Sequence, residues 1–224
     1  MWISDDYGPI VTVKVGNPDP YREFHVYEGL LSHYSSYFKA AMKDCWGGLK
    51  TIELEDDDPE VFKAFFRWLY TGKLYSALDA SGKVPLTMRR ICEIYVFGDA
   101  RGAPELCNAA VDLLIQKMHH EWIFPTTTCS FAYENTLPGS ALRKLLVDDA
   151  VEHYSFSDLV DPIQRSKGLE TYHKDFLGDM LMAFKALTSS STGCGTLSYG
   201  KADWATYIKP LICSRYHDHP APAA

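Results

Sequence analysis

The amino-acid sequence predicts an α+β fold, with a small sheet and a helix cluster in the first half and an all-α extension after it. Three observations carry this. Short segments of strict apolar alternation occur before Glu55 and not after it. An aromatic helix with both ends marked follows the last of them directly. Beyond it the apolar residues recur only at helical spacing.

Val11, Val13 and Val15 alternate with Thr12 and Lys14, the period of a half-buried strand. Gly16-Asn17-Pro18-Asp19-Pro20 is a turn. Phe24 and Val26 alternate with Glu23 and His25, giving a second strand paired with the first as a hairpin. Leu30, Leu31, Tyr34, Phe38 and Met42 recur at helical spacing, with a break into two short helices expected near Ser35-Ser36. Ile52 and Leu54 alternate with Glu53 and Glu55, a third strand. Asp58 is then a good N-cap, Pro59 suits the first helical position and Glu60 complements the helix dipole. Phe62, Phe65, Phe66 and Leu69 form the apolar face, with Phe65 and Phe66 expected in the core, and Gly72 is placed to stop the helix.

Residues 75–85 are polar and turn-rich, a surface loop. Thr87 can cap a helix to about Arg101 with Met88, Ile91, Cys92, Tyr95 and Val96 on its apolar side. Gly102-Ala103-Pro104 stops that helix and starts the next, lined by Leu106, Cys107, Ala110, Val111 and Leu114. Periodicity lapses near residues 119–125, where a domain boundary is expected. Residues 142–149 are helical to about Tyr154, and residues 176–187 form an amphipathic helix. Residues 188–195 are a flexible break. No internal repeat is present.

Several of these blocks carry a resemblance. PEVFKAFFRWLYTGKL, beginning at Pro59, resembles the signature helix of the BTB/POZ domain, a protein–protein interaction fold. IVTVKVG from Ile10 and REFHVYEGLLSHYSSYFKAAM from Arg22 are similar to its opening strands and helices, in order and spacing. YVFGDARGAPELCNAAVDLLI from Tyr95 resembles its closing helix pair. YENTLPGSALRKLLVD from Tyr133 resembles the helical extension of short BTB proteins common in fungi. The resemblance implies a small mixed sheet flanked by a helix cluster over residues 8–118. It further implies a helical extension over 119–215 packed on it, and a disordered tail is expected over 216–224.

Composition narrows the function. Of 224 residues, 46% are hydrophobic and 23% charged, a globular balance, and the net charge is −7. An acidic chain without a basic run is poorly suited to nucleic acid. No apolar run approaches membrane-spanning length, and Met1 is followed by Trp2-Ile3-Ser4-Asp5-Asp6 without the pattern of a secretory leader. The six cysteines, Cys45, Cys92, Cys107, Cys129, Cys194 and Cys213, form no C-x-x-C pair. They read as free thiols of an intracellular protein, in cytoplasm or nucleus.

Residues 195–201 match G-x-x-x-x-G-K, but Ala202 stands where a magnesium-holding hydroxyl belongs, no buried strand precedes the loop, and too little chain follows for a parallel sheet. No nucleotide or other small-molecule substrate is expected. Cys213, His217 and His219 lie within seven residues, in a spacing unlike the common structural zinc pairs and without an evident fourth ligand. A solvated C-terminal segment is the preferred reading, and the sequence leaves metal binding open. His119-His120-Glu121 reads as a helix end. Asp56, Asp57 and Asp58 read as a helix cap rather than a cation loop. Cys45 has no basic partner beyond Lys43, and no serine sits in G-x-S-x-G. Catalytic residues, cofactors and metal ligands are therefore all expected to be none.

That leaves protein partners. Tyr34 and Tyr37 on the early helices, Met42, and Trp46 in the Asp44–Gly48 loop are the expected partner-binding residues. The resemblance implies that this loop faces a scaffold such as a cullin. Many members carry a hydrophobe-x-acid there, whereas Trp46-Gly47-Gly48 keeps the hydrophobe and loses the acid. Tyr27-Glu28 replaces the usual His-Lys, and Ile10 replaces the Asp often found in the first strand. These departures argue against a charged dimer pocket, and the start of the chain close to the first strand argues against a domain-swapped homodimer. The expected function is non-enzymatic: an adaptor bringing a client to a scaffold, or a self-associating structural or regulatory module.

Overall fold

Val11, Val13 and Val15 turn one face of β1 (Ile10–Val15) inward, and all three are fully buried. β2 (Arg22–Tyr27) pairs with it antiparallel, Val26 opposite Val11 and Phe24 opposite Val13. A slip of one residue would turn those valines to solvent, so burial fixes the register. β3 (Thr51–Leu54) pairs on the other side in parallel, Ile52 beside Val13 and Leu54 beside Val15, giving the order β2-β1-β3. The sheet is therefore mixed. These coordinates come from a computed structural model that describes residues 7–17, 21–43, 51–153, 172–189, 206 and 209–219.

A parallel neighbour needs a crossover. It contains α1 (Glu28–Tyr34) and α2 (Ser36–Lys43). The break falls at Ser35, whose backbone is extended. Its hydroxyl accepts from the Phe38 N–H at 3.1 Å and donates to the Arg101 carbonyl at 2.6 Å. One buried serine thus caps α2 and ties its start to a distant segment.

α3 (Pro59–Thr71) has the ends its sequence marks. The Asp58 carboxylate accepts from the Glu60 N–H at 2.7 Å, and Gly72, at φ 66°, donates its N–H to the Trp68 carbonyl at 2.8 Å. A left-handed residue at this stop is where glycine carries no Cβ penalty. The buried face comprises Val61, Phe62, Ala64, Phe65, Trp68 and Leu69. Phe66 is only half-buried, a correction to the expectation. Its ring lies to one side, 5.7 Å from Phe24 and 5.0 Å from Tyr70, while Trp68 takes the core position and stacks 6.2 Å from Phe65. Phe38, Phe62 and Phe97 complete an aromatic cluster around Phe65.

α4 (Met88–Ala100) is capped by Thr87, whose hydroxyl accepts from the Arg90 N–H at 3.1 Å. Of the expected stripe Ile91, Cys92 and Tyr95 are buried while Met88 and Val96 are half-buried, and Ile94 and Phe97 are buried as well. Gly102, at φ 55°, makes the restart into α5 (Pro104–Glu121), and a Cβ there would collide with the Ser36 hydroxyl. α5 ends at Trp122, a non-glycine residue at φ 54°.

The chain divides into two compact units, one of residues 1–86, 93–110 and 218–224, the other of 87–92 and 111–217. The second contains α6 (Thr126–Asn135), α7 (Ala141–His153), α8 (Lys174–Ser189) and the short α9 (Ile212–Tyr216). Phe124, Tyr133, Tyr172 and Phe176 form its aromatic core, with ring centroids 5.4–6.3 Å apart. α6 was not foreseen as a helix. The expected tail over 216–224 is corrected at its start: Tyr216 is fully buried and its hydroxyl donates to Asp148 at 2.9 Å. The flexible break expected over 188–195 is corrected at its start, since α8 runs on to Ser189; residues 190–195 and the loop at 195–201 lie outside the described residues.

Candidate functional site

Of the expected partner-binding residues, the crossover carries Tyr34, Tyr37 and Met42 among the described residues. Tyr34 closes α1 half-buried, its ring meeting Trp68 edge-on at 4.9 Å. Burial first, then the nearby Glu105 and Tyr7, hold its hydroxyl above the usual tyrosine range. Tyr37, one residue into α2, is 36% exposed. Its ring has the Arg101 guanidinium 4.5 Å from its centroid and packs perpendicular to Phe38 at 5.2 Å. Arg101 is itself ion-paired to Asp57. Its carbonyl accepts from both the Ser35 hydroxyl and the Tyr37 N–H. The three-Asp run is thereby resolved: Asp58 caps α3, and Asp57 holds the arginine that steadies Tyr37.

Met42 is only 5% exposed, so its side chain belongs to the core rather than to an exposed face, a correction to the expectation. Trp46 and the rest of its loop lie outside the described residues. Lys39, Ala40 and Lys43 supply exposed neighbours to Tyr37 on α2.

A second surface was missed. Ile10 and Tyr27 face each other across β1 and β2, and both are exposed. The Tyr27 N–H donates to the Tyr70 hydroxyl at 3.3 Å, and Tyr70, at the end of α3, is 43% exposed. Tyr7 lies 5.3 Å from the Tyr27 ring. The signal was present in the alternation: Phe24 and Val26 point inward, so Tyr27 must extend that strand's outward face. β2 is an edge strand of the sheet among the described residues.

The buried Cys107 thiol is pushed up to about 12, by burial first and then by Asp99 and Asp218, which makes it inert. The Cys129 thiol is raised by complete burial. Cys92, Cys107, Cys129 and Cys213 are free thiols. No helix among the described residues is long and apolar enough to cross a membrane.

The described residues thus combine a mixed three-stranded sheet, a helical crossover, an aromatic helix and the α4–α5 helix pair. The family model for the BTB/POZ domain matches residues 11–90, from β1 into α4. The fold is consistent with the α+β fold of a BTB/POZ domain followed by a helical extension. The domain is a protein–protein interaction module. No curated protein matches the chain.

Proposed function

We propose that the chain is a non-enzymatic adaptor, whose BTB/POZ domain (residues 8–118) meets a scaffold protein of the cullin type. Its helical extension (residues 119–215) recruits the client. The observation that carries this reading is Tyr37, an exposed ring fixed in place before any partner arrives by Arg101 and Phe38. An aromatic side chain ordered in advance adds contact area with little entropy left to lose. Tyr34 closes the preceding helix, and Trp46 belongs to the loop that the family resemblance assigns to the partner. Gly48 in place of an acid predicts weak engagement. The thiols suit the cytoplasm or nucleus. Neither nucleic acid, membrane, cofactor nor small-molecule substrate enters the reading.

A second reading, self-association without ubiquitin-ligase coupling, is favoured by the Ile10–Tyr27–Tyr70 patch at the edge strand β2. One experiment separates them. The parent, Tyr37→Ala, Trp46→Ala and Gly48→Glu are titrated against a cullin N-terminal segment, and solution mass is measured for the parent and Tyr70→Lys. The adaptor reading expects weak binding by the parent, a loss of at least about 2 kcal/mol in each alanine variant, and tightening in Gly48→Glu. No binding by the parent and no gain from Gly48→Glu would overturn it. A dimer abolished by Tyr70→Lys would then establish the second reading.

A further inference from the structure

Cys213, His217 and His219 follow one another through a change of backbone period. Cys213 lies in α9, and the His217 N–H bonds the Cys213 carbonyl at 3.3 Å, extending the helical spacing by one step. Residues four apart on a helix share a face. At His217 the backbone becomes extended, φ −91° and ψ 139°. Residues two apart in extended chain also share a face. A helical step of four followed by an extended step of two therefore brings all three side chains to one side of a single seven-residue stretch. One ligand atom from each, the Cys213 thiol sulfur and one imidazole nitrogen from each histidine, lies within 4.8 Å of the others.

The stretch is pinned on both sides of this cluster. The Arg215 guanidinium pairs with Glu152 at 3.0 Å, and Tyr216 is buried on Asp148. The Asn108 side chain grips Asp218 twice, donating to its carbonyl at 2.8 Å and accepting from its N–H at 3.0 Å. His217 Nε2 meets Asp112 Oδ1 at 2.8 Å. A carboxylate on one ring nitrogen orients the other toward a metal and raises its basicity. Cys213 and His217 line a cleft of about 570 Å³, together with Asp112, His119 and His120.

We propose that Cys213, His217 and His219 form a binding site for a zinc-class divalent ion, with Asp112 orienting His217. A thiolate and two imidazoles suit zinc and other borderline transition ions, whereas calcium and magnesium require oxygen ligands. Nδ1 of His217 is the ligand atom, because Nε2 is on Asp112. On uptake the Cys213 thiol proton passes to solvent as the metal–sulfur bond forms. Three protein ligands leave a fourth position open to water in the cleft, the arrangement of an accessible rather than a closed structural site.

The test is a titration of the full chain with cobalt(II), after chelator treatment and under reducing, oxygen-free conditions. The expected result is saturation at one equivalent, with a thiolate-to-cobalt charge-transfer band and the visible bands of four-coordinate cobalt, both displaced by zinc. Cys213→Ser should abolish the charge-transfer band, and His217→Gln and His219→Gln should each weaken uptake. Cys45→Ser should leave the band intact. Asp112→Asn should weaken affinity by about tenfold. Cys213 and His219 are exposed, so their variants should retain the parent's circular dichroism. A parent without saturable uptake, or a band that survives in Cys213→Ser, overturns the site. Unchanged affinity in Asp112→Asn overturns the orienting role of that carboxylate.

Discussion

α3 and α6 are helices of 13 and 10 residues held in opposite ways. α3 has its own caps, a proline at its start, a glycine at its stop and a continuous aromatic face. α6 has no side-chain cap at Pro125, only a weak apolar stripe, and no glycine at its end. It is terminated from outside. Arg143, on α7, donates from Nη2 to the carbonyls of Tyr133 and Thr136 and from Nε to the Thr136 hydroxyl, and its guanidinium lies 4.4 Å from the Tyr133 ring centroid. A buried cation thus satisfies the orphan carbonyls at a helix C-terminus and complements its dipole. The Thr136 hydroxyl adds a bond to the Ala132 carbonyl at 2.6 Å. One helix is specified by its own residues, the other by a residue in the helix that follows it.

The largest expected effect lies in α3. Phe65 is fully buried among Phe38, Phe62, Trp68 and Phe97, so Phe65→Ala should cost about 3–5 kcal/mol in chemical denaturation. Phe66→Ala should cost about 1–2 kcal/mol, because that side chain is only partly buried and loses less apolar contact. Equal losses in the two variants would mean that α3 is rotated from the facing described.

The same contrast explains what could be read from the residues alone. The strands, Ser35 break, Thr87 and Asp58 caps and Gly72 stop are local events, each signalled by one or two side chains. Trp68 was overlooked because the stripe of Phe62, Phe65, Phe66 and Leu69 already looked complete. Tyr70 was overlooked because an aromatic at a helix end reads as structure until its neighbours are known. α6 was invisible because its cap comes from Arg143, whereas the end of α5 was legible in His119-His120-Glu121, and only the left-handed Trp122 that follows it was not. Among the candidate sites, the proximity of Cys213, His217 and His219 depended on a change of period at His217. Neither a helical nor an extended template alone would reveal it. Met42 shows the converse: its place before the partner loop was legible, but its burial was not.

Arg143 tests the externally capped helix. Arg143→Met keeps much of the volume but leaves two carbonyls and a hydroxyl without their buried donor, so the second unit should lose about 3 kcal/mol. Arg143→Lys should recover less than half of that, since an ammonium cannot reproduce the planar fork. Hydrogen exchange at α6 amides is the discriminating readout, and protection unchanged in Arg143→Met would show that α6 needs no help from α7.

Asp149 sharpens the comparison through pH. Its carboxyl is enclosed in the second unit, and burial first, then Glu152 and Asp148, raise it to about 8. The folded chain therefore keeps a proton that the unfolded chain releases near about pH 4. Stability from this group is full below that value and falls as pH rises toward about 8. Asp149→Asn has no proton to lose, so its melting temperature should rise relative to the parent between pH 5 and pH 8, with the gap widening steadily. A constant gap would mean that Asp149 is ionised in the folded protein throughout.

The smallest expected effect returns to α3. Asp58→Ala removes the acceptor for the Glu60 N–H, and an N-cap change of this kind costs about 1 kcal/mol. Asp58→Asn or Asp58→Ser should restore most of the loss, because each again offers an oxygen to the first turn. The neighbouring Asp57→Asn acts elsewhere: it weakens the ion pair with Arg101 and frees the guanidinium under Tyr37. Asp58→Ala should therefore lower stability without altering partner affinity, and Asp57→Asn should weaken partner affinity more than stability. If both variants shifted stability and affinity in the same proportion, the cap and the Tyr37 support would be one coupled element rather than two adjacent ones.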